Sequence, residues 1–485
     1  MRPVHAGLAA VILAVLAVGY FEARPRLDDF DPSLHAASRD NWAGRLHIAY
    51  MEKWGSFERE ACQAMVDQFN QSQTEIFVHY INTGEADRKS MLAIMGNDPP
   101  DVVGLWSRNV PLFGEAEALM PLDDLMAQTG PKPEDYIDNY LQLGRYQGKT
   151  YALPTTPGSL ALFYNKEHFR RKAQQLRQAG LDPDRPPATI EEFDRYAEVL
   201  SEFNPDGSPK VMGFLPTEPK DWFDAAWGYH FGGQLYDPAT NRITTDSPEN
   251  IRAFTWIKRY AEMFGRQKML QFVGGFGNFD SPTNAFIDGK VSMEMQGVWF
   301  PNFIRRHRPD LEFGVAPFPC VEGVPGPRSM IDGDVIAIPR GSRHPEAAWK
   351  FIQFVQDPNR GLATLNRLQG KHMPVRNTPE VFRQSHPNLE LKIFEEIAAS
   401  KHSFLLPQIT IWAEYSTAID NAFQHIWNWP VPEDQLAGLS GAQRQKKVEE
   451  LCQAEVHRTL TEVRVKMQAR LDQTAERQKL RDAGR

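Results

Sequence analysis

The chain has 485 residues, of which 41% are hydrophobic and 24% charged. That composition is typical of a globular protein, and the length predicts two or three domains. The formal net charge is −8, from 62 acidic and 54 basic side chains, and the sequence contains no basic block. These features argue against nucleic-acid binding, because a protein that follows a phosphate backbone needs clustered lysine and arginine.

The three cysteines, Cys62, Cys320 and Cys452, lie far apart and form no Cys-x-x-Cys or Cys/His cluster. This spacing argues against a metal site and against a disulfide framework, and leaves open a single bridge. We therefore expect no metal and no cofactor.

The amino terminus carries an apolar run from Ala6 to Val18 that follows Arg2 and His5. Its length is typical of a signal-peptide core and is short for a bilayer span. Residues 1–20 are therefore predicted to be an export signal or an uncleaved membrane anchor, and residues 21–44 a linker. No cysteine follows the run, which excludes the usual lipoprotein attachment.

The first part of the globular region alternates strands and helices. Apolar runs at Leu46–Tyr50, Ile76–Ile81 and Asp101–Leu105 predict three strands, with helices between them, in a parallel βαβαβ sheet. Trp54 and Trp106 come just after two of these strands. Since ligands bind beyond the carboxyl ends of parallel strands, both are candidate ligand contacts, although each could instead pack beneath a helix.

Ser56 is predicted to cap the first helix, whose apolar positions recur at every fourth residue. Farther along, Pro154-Thr155-Thr156-Pro157-Gly158 is predicted to interrupt a strand, as expected where a chain crosses between two lobes. Similar breaks occur at Phe313–Pro319 and Met373–Arg376. For the segment at Pro154–Gly158, an ordinary loop is the alternative.

An apolar run from Val291 to Met295, after the turn Asp288-Gly289-Lys290, predicts a short strand that stops at Gly297. Trp299 lies two residues beyond that end. A flat aromatic ring there suits a ligand with an apolar face and a polar rim, as a sugar has. Taken alone, Trp299 is more readily explained as a core residue.

Other candidates are less specific. The stretch with Trp222, Trp227 and Gly233 either buries a helix face or presents rings to a ligand, and Trp412 begins a helix. Asp332-Gly333-Asp334 resembles a paired-carboxylate site, but a turn before a strand is the commoner explanation. No Ser/His/Asp or His-Glu-x-x-His pattern is present.

Beyond Pro430 the composition changes to Gln, Glu, Lys and Arg, with apolar residues three or four apart from Val448 to Leu471. This pattern predicts an amphipathic helix or short coiled coil. Packing on the protein's own surface is the default expectation, and binding a partner or dimerising are the alternatives.

Five motifs in order resemble the extracellular solute-binding proteins of sugar ABC importers, the class that includes maltodextrin-binding proteins. They span about residues 46 to 428. They are Pro-Pro-Asp-Val-Val at 99–103, Tyr-Ala-Leu-Pro with Leu-Phe-Tyr-Asn-Lys at 151–166, Pro-Ala-Thr-Ile-Glu-Glu-Phe at 187–193, Gly-Lys-Val-Ser-Met with Gly-Val-Trp at 289–299, and Pro-Glu-Ala-Ala-Trp-Lys-Phe-Ile at 345–352.

The resemblance implies an α/β fold of the two-lobe, hinge-linked periplasmic-binding-protein type, whose lobes close on a ligand held in a cleft. Lobe 1 would comprise residues 45–154 and 318–372, lobe 2 residues 158–313 and 373–430, and a helical tail residues 431–485. The tail is longer than the family pattern needs. The implied ligand-binding residues are Trp54, Ser56, Trp106, Arg108, Thr156, Trp222, Trp227, Gly233, Trp299, Asp332, Asp334, Arg376 and Trp412.

The function implied by the resemblance is non-catalytic binding of a sugar or oligosaccharide outside the cytoplasm and its delivery to an ABC permease. Within the same fold the alternative ligand is a charged solute, either a glycerol phosphate bound through Arg108 and Arg376 or a polyamine bound through carboxylates. An exported carbohydrate-active enzyme is a further alternative, as is a sensor or scaffold subunit held by the anchor and tail.

Overall fold

The computed structural model describes residues 44–217, 222–262 and 266–483. The predicted export segment at 1–20 and nearly all of the predicted linker lie outside the described residues. The strands are β1 Leu46–Glu52, β2 Ile76–Asn82, β3 Val102–Trp106, β4 Arg145–Tyr146, β5 Lys149–Thr150, β6 Ala152–Asn165, β7 Glu202–Phe203, β8 Pro209–Phe214, β9 Tyr236–Asp237, β10 Arg242–Ile243, β11 Val291–Gly297, β12 Phe313–Ala316, β13 Met330–Ala337 and β14 Phe404–Leu405.

The α-helices are α1 Ser56–Ser72, α2 Ala86–Met95, α3 Val110–Glu115, α4 Asp123–Thr129, α5 Asp138–Leu143, α6 Lys166–Arg171, α7 Ala173–Gln178, α8 Ile190–Leu200, α9 Trp227–His230, α10 Pro248–Glu262, α11 Arg266–Val273, α12 Phe300–His307, α13 Pro345–Val355, α14 Gly361–Gln369, α15 Glu380–Gln384, α16 Leu391–Ala399, α17 Trp412–Asn428 and α18 Gly441–Ala483. Short 3₁₀ helices lie at Ser107–Asn109, Pro133–Asp135, Trp222–Ala226 and Glu433–Leu436.

The chain forms two compact units. Unit 1 extends to Gly158 and resumes at Asp332–Pro387, and unit 2 comprises Ser159–Ile331 and the residues from Asn388 onward. The lobe boundaries given above are a separate division of the chain and stay a prediction.

The sheet of unit 1 begins with the predicted parallel strands. β1 and β2 pair in parallel along their full length, from Leu46 opposite Ile76 to Glu52 opposite Asn82, and β1 also pairs in parallel with β3. β13 adds to β3 in the antiparallel direction, which places Asp334 opposite Trp106. The predicted turn at Asp332-Gly333-Asp334 is therefore wrong, because all three residues lie inside β13.

The start of α1 also differs from the prediction. Gly55 holds the cap position, and no side chain caps the helix. Ser56 is the first helical residue and has a left-handed backbone conformation, with φ of +51°. Its predicted capping role is wrong because the residue lies one position too late to cap the free amides of the first turn.

The sheet of unit 2 is organised around the second half of β6. β11 pairs antiparallel with it, from Leu160 opposite Gly297 to Tyr164 opposite Met293, and β12 pairs along its other edge. β8 adds to β11 in parallel. β11 ends at Gly297, as the sequence predicts.

The helical tail packs on unit 2. The buried face of α18 carries Cys452, Val456, Leu460, Met467 and Leu471. This face contacts α10 and α17, and the Thr461 hydroxyl and Arg464 Nε donate to Asp246 Oδ2 at 3.0 and 2.7 Å. The prediction of an amphipathic helix that packs on its own protein is confirmed.

All three cysteines are buried and free, so the single bridge left open by the sequence does not form. Between residues 44 and 483, apart from the two short gaps, no helix combines the length and apolar character needed to cross a membrane.

Candidate functional site

Two tryptophans come together at the carboxyl ends of adjacent strands in unit 1. Trp54 lies two residues after β1 and Trp106 is the last residue of β3. Their ring centroids are 5.1 Å apart with an interplanar angle of 73°, and both side chains are half-buried. The backbone amide of Trp106 donates to Asp87 Oδ1 at 3.0 Å, and the Asn82 amide donates to the Trp54 carbonyl. Both rings are thus held from their backbones and keep part of their surface exposed.

A buried lysine lies between the two rings. Lys53 Nζ is 4.6 Å from the Trp106 ring centroid and 5.1 Å from that of Trp54, and it forms ion pairs with Asp334 Oδ1 at 2.9 Å and Glu52 Oε1 at 3.0 Å. Burial lowers the pKa of Lys53, but Asp334 and Glu52 raise it more, and the net direction is well above the ordinary value. The ammonium therefore stays charged and links carboxylates to aromatic faces.

The Glu52 carboxylate occupies space that only a glycine leaves open. Tyr50 donates its hydroxyl to Glu52 Oε2 at 2.7 Å. A Cβ atom on Gly104 would lie 1.7 Å from that same oxygen. The absence of a side chain at position 104 is therefore what allows Glu52 to reach Lys53.

A second buried lysine contacts Trp54 from a different part of the chain. Lys371 Nζ lies 4.6 Å from the Trp54 ring centroid and 3.2 Å from Glu58 Oε1. It follows Gly370, which ends α14 in the left-handed conformation. The sequence alone predicted no role for Lys53, Glu52, Lys371 or Glu58. Only Lys53 and Glu52 had a usable signal, their position at the strand end beside Trp54.

The two aspartates of β13 have different partners. Asp332 accepts a hydrogen bond from the Ser107 hydroxyl at 2.6 Å, whereas Asp334 accepts one from the Thr156 hydroxyl in addition to its Lys53 pair. Burial raises the pKa of Asp332, and Arg108 and Ser107 only partly offset it. Arg108 Cζ in turn lies 4.9 Å from the Trp106 ring centroid. Four predicted site residues besides the tryptophans, Arg108, Thr156, Asp332 and Asp334, thus belong to one cluster.

Trp299 in unit 2 follows β11 and directly precedes α12. Its ring folds back over Gly297, where a Cβ atom would lie 2.3 Å from the indole. The ring is partly exposed, and its centroid lies 6.3 Å from that of Phe279. Trp299 therefore combines a fixed orientation with free surface.

Two other candidates of unit 2 are buried in packing. Trp227 is 1% exposed and its ring lies among those of Phe214 and Trp256, at 6.0 and 5.8 Å. Trp412 is 2% exposed and contacts Tyr415 edge-on. We withdraw both as ligand contacts, because side chains so enclosed have no surface to offer.

The remaining candidates are Gly233, Trp222, Ser56 and Arg376. A Cβ atom on Gly233 would lie 2.5 Å from Asn250 Oδ1, so this glycine serves close packing and is withdrawn too. Trp222 begins a 3₁₀ helix, but its side chain is outside the described part of the structure. Ser56 is exposed, and Arg376 pairs with Asp138 at 2.8 Å.

An α/β fold with aromatic rings and ion-paired polar groups at strand ends is suited to binding a solute. The comparisons agree, because the family model of the bacterial extracellular solute-binding proteins matches residues 55–359. The chain belongs to this family. The family's extracellular description implies a location outside the cytoplasm.

The chain is similar to the maltotriose-binding protein of Pyrococcus abyssi, with 22% identity over 378 residues, which cover 75% of this chain and 74% of the relative. It is 23% identical over 279 residues to the arabinooligosaccharide-binding protein of Bacillus subtilis, covering 57% of this chain and 60% of the relative. Among solved structures, CpMnBP1 with mannobiose bound has a TM-score of 0.68 and 24% identity, covering 85% of this chain and all of that one. At that identity the structural likeness establishes the fold alone.

Proposed function

We propose that this protein binds a neutral sugar or oligosaccharide outside the cytoplasm, without catalysis, and delivers it to an ABC permease. The observation that carries the proposal is the Trp54–Trp106 pair at the strand ends of unit 1, with carboxylates and ammonium groups around it. Aromatic faces accept the apolar side of a sugar ring, and each buried hydroxyl needs a hydrogen-bond partner.

The half-exposed ring of Trp299 adds a second stacking surface, on unit 2. The names of the two relatives described above support the same ligand class, since they specify maltotriose and arabino-oligosaccharides. The bound sugar in the CpMnBP1 structure is also an oligosaccharide.

A phosphate-bearing ligand is disfavoured by the charges of unit 1. Around the two tryptophans, three basic groups, Lys53, Lys371 and Arg108, are matched by four carboxylates, Glu52, Glu58, Asp332 and Asp334. Outside this cluster, Arg376 is already paired with Asp138. An anion would therefore have to compete with existing carboxylates for each cation.

Hydrolysis is disfavoured by the bonding of the β13 aspartates. Asp334 is engaged by Lys53 and Thr156, and Asp332 by Ser107. A glycosidase needs one carboxyl group as acid and a second as base or nucleophile, both free to reach the scissile bond.

A thermal-shift screen tests the proposal. The ligands are maltotriose, mannobiose and arabinotriose, with glycerol 3-phosphate and spermidine as charged comparisons, and each incubated sample is analysed by chromatography for products. We expect a neutral saccharide to raise Tm, because a ligand that binds only the folded state stabilises it, and to be recovered intact. Stabilisation by the charged solutes alone, or cleavage of the saccharide, would contradict the proposal.

Membrane association belongs to the same proposal. Residues 1–20 would direct export to the periplasm and then either be removed or remain as a tether to the inner membrane. A tether would keep the binding protein near its permease. Cell fractionation separates the two outcomes, because a tethered protein sediments with membranes and a cleaved one is released with the periplasmic contents.

A further inference from the structure

Glu58 and Lys371 form an ion pair against Trp54, and they differ in accessibility. The Lys371 side chain is 3% exposed, whereas the Glu58 side chain is 18% exposed. Lys371 Nζ also lies 4.6 Å from the Trp54 ring centroid. The pair therefore presents its carboxylate to the surroundings and keeps its ammonium covered.

The pair belongs to the same charge cluster as Lys53. Burial raises the pKa of Glu58, Lys371 lowers it, and the more distant Asp334 and Lys53 raise and lower it respectively. Lys371 Nζ and Lys53 Nζ lie 4.6 and 5.1 Å from the same Trp54 ring centroid, so the pair and Lys53 contact one indole ring. A change in the charge of Glu58 therefore alters the electrostatic potential beside Trp54.

The two buried lysines are compensated unequally. Lys53 has ion pairs with both Glu52 and Asp334, whereas Lys371 has one recorded ion pair among the described residues, with Glu58. Because a buried ammonium is costly without a counter-charge, removing the Glu58 charge leaves Lys371 as a cation that needs a new anion.

We propose that the Glu58–Lys371 pair determines the charge specificity of the site: the carboxylate covers the ammonium, repels anionic solutes and leaves hydrogen-bond acceptors for the hydroxyl groups of a neutral sugar. This inference rests on the proposed function, since it concerns the site beside Trp54. Neutralising Glu58 leaves the Lys371 ammonium without its carboxylate and favours the binding of sugar acids. Neutralising Lys371 leaves the Glu58 carboxylate without its ammonium and makes the binding of sugar acids less favourable than in the wild type.

The test compares each neutral saccharide, maltotriose, mannobiose or arabinotriose, with the aldonate made by oxidising its reducing end. Calorimetric titration gives the ratio of the two Kd values for the wild type, Glu58→Gln, Lys371→Met and the double variant. We expect Glu58→Gln to shift the ratio about tenfold toward the aldonate, which corresponds to about 1.4 kcal/mol. Lys371→Met should shift the ratio the other way, and the double variant should return it toward the wild-type value.

Glu75→Gln is the matched control, since it removes a carboxylate of unit 1 from an exposed ion pair with Lys350. It should leave the ratio unchanged. The double variant keeps the test available if Glu58→Gln does not fold, because it contains no uncompensated lysine, and Lys371→Met then supplies the single-charge comparison.

The inference is overturned if the wild type binds a neutral saccharide and the ratio stays within twofold in every variant. A purely structural role would change Tm without moving the ratio. If the wild type binds no neutral saccharide at all, the proposed function fails instead, so the two failures are distinguishable.

Discussion

Trp54 and Trp106 in unit 1 differ in exposure from Trp227 and Trp412 in unit 2, although all four were candidate ligand contacts. The first two stand at the ends of neighbouring parallel strands and keep exposed surface. The other two lie at the starts of helices and are enclosed by core side chains. The comparison indicates that a tryptophan's position in the sheet, more than its neighbours in sequence, decides whether it can serve a ligand.

The largest effect that the comparison predicts is at Trp227. Trp227→Ala should lower the free energy of unfolding by about 3–5 kcal/mol, because it opens a cavity among packed rings. Urea denaturation measures the change. An effect below 1 kcal/mol would mean that the ring is not part of the core and would reopen its role as a ligand contact.

Buried charges of the two units offer a second contrast. Lys53 of unit 1 is paired with carboxylates, whereas Glu294 on β11 of unit 2 is fully buried and is bound by the neutral side chains of Gln296 and Asn284, at 2.7 and 3.2 Å. Burial raises the pKa of Glu294 to about 7, although those hydrogen bonds lower it.

The folded state therefore holds a proton on Glu294 at pH values where the unfolded state has lost it. The stabilisation of the folded state by protonated Glu294 is fully present below the pKa of about 4.5 that this group has in the unfolded chain. It is lost as the pH rises through the folded-state pKa of about 7. Glu294→Gln should remove about 2 kcal/mol of this pH dependence between pH 5 and 8. Denaturation curves across that range measure it, and parallel profiles for the two proteins would show that Glu294 titrates normally.

Gly104 provides the corresponding test in unit 1. Gly104→Ala should destabilise the protein by about 1–3 kcal/mol, because the new Cβ atom overlaps the Glu52 carboxylate. It should also weaken saccharide binding, since displaced Glu52 no longer pairs with Lys53. Chemical denaturation and calorimetry check the two effects, and unchanged affinity would separate Glu52 from the site.

The smallest expected effect on the unliganded protein is at Trp299. Trp299→Ala should abolish the saccharide-induced rise in Tm while the unliganded protein still unfolds in one cooperative transition, because the ring is partly exposed. Phe303→Ala, which removes another partly exposed ring from α12, is the control. Loss of folding without ligand would assign Trp299 to the core.

The strands that carry these residues were accessible from sequence because their apolar runs are short and bounded by turn residues. β11 ends where that pattern predicts, at Gly297, whereas β1 and β3 extend two residues and one residue beyond their predicted ends at Tyr50 and Leu105. Trp54, Trp106 and Trp299 lie at or just after these ends. The amphipathic spacing from Val448 to Leu471 likewise predicts a helix that packs on its own protein.

Long-range pairing was not accessible. Lys371 and Glu58 are separated by 313 positions, and nothing in either local sequence indicates that they meet. Asp332 and Asp334 resembled a turn because Asp-Gly-Asp favours turns, but both lie within β13, and Asp334 pairs with Trp106 of β3. Burial of Trp227 likewise depends on rings supplied by β8 and α10.

We expect the strand-end tryptophans of unit 1 to bind a neutral saccharide. The test is calorimetric titration of the wild type and Trp106→Ala with maltotriose, mannobiose and arabinotriose. The control is Phe203→Ala, which removes an exposed ring of unit 2. We expect at least one saccharide to bind the wild type and the control equally and to bind Trp106→Ala at least about tenfold more weakly, since one stacked ring contributes about 1 kcal/mol or more. Equal affinity of Trp106→Ala and the wild type for that saccharide would contradict it.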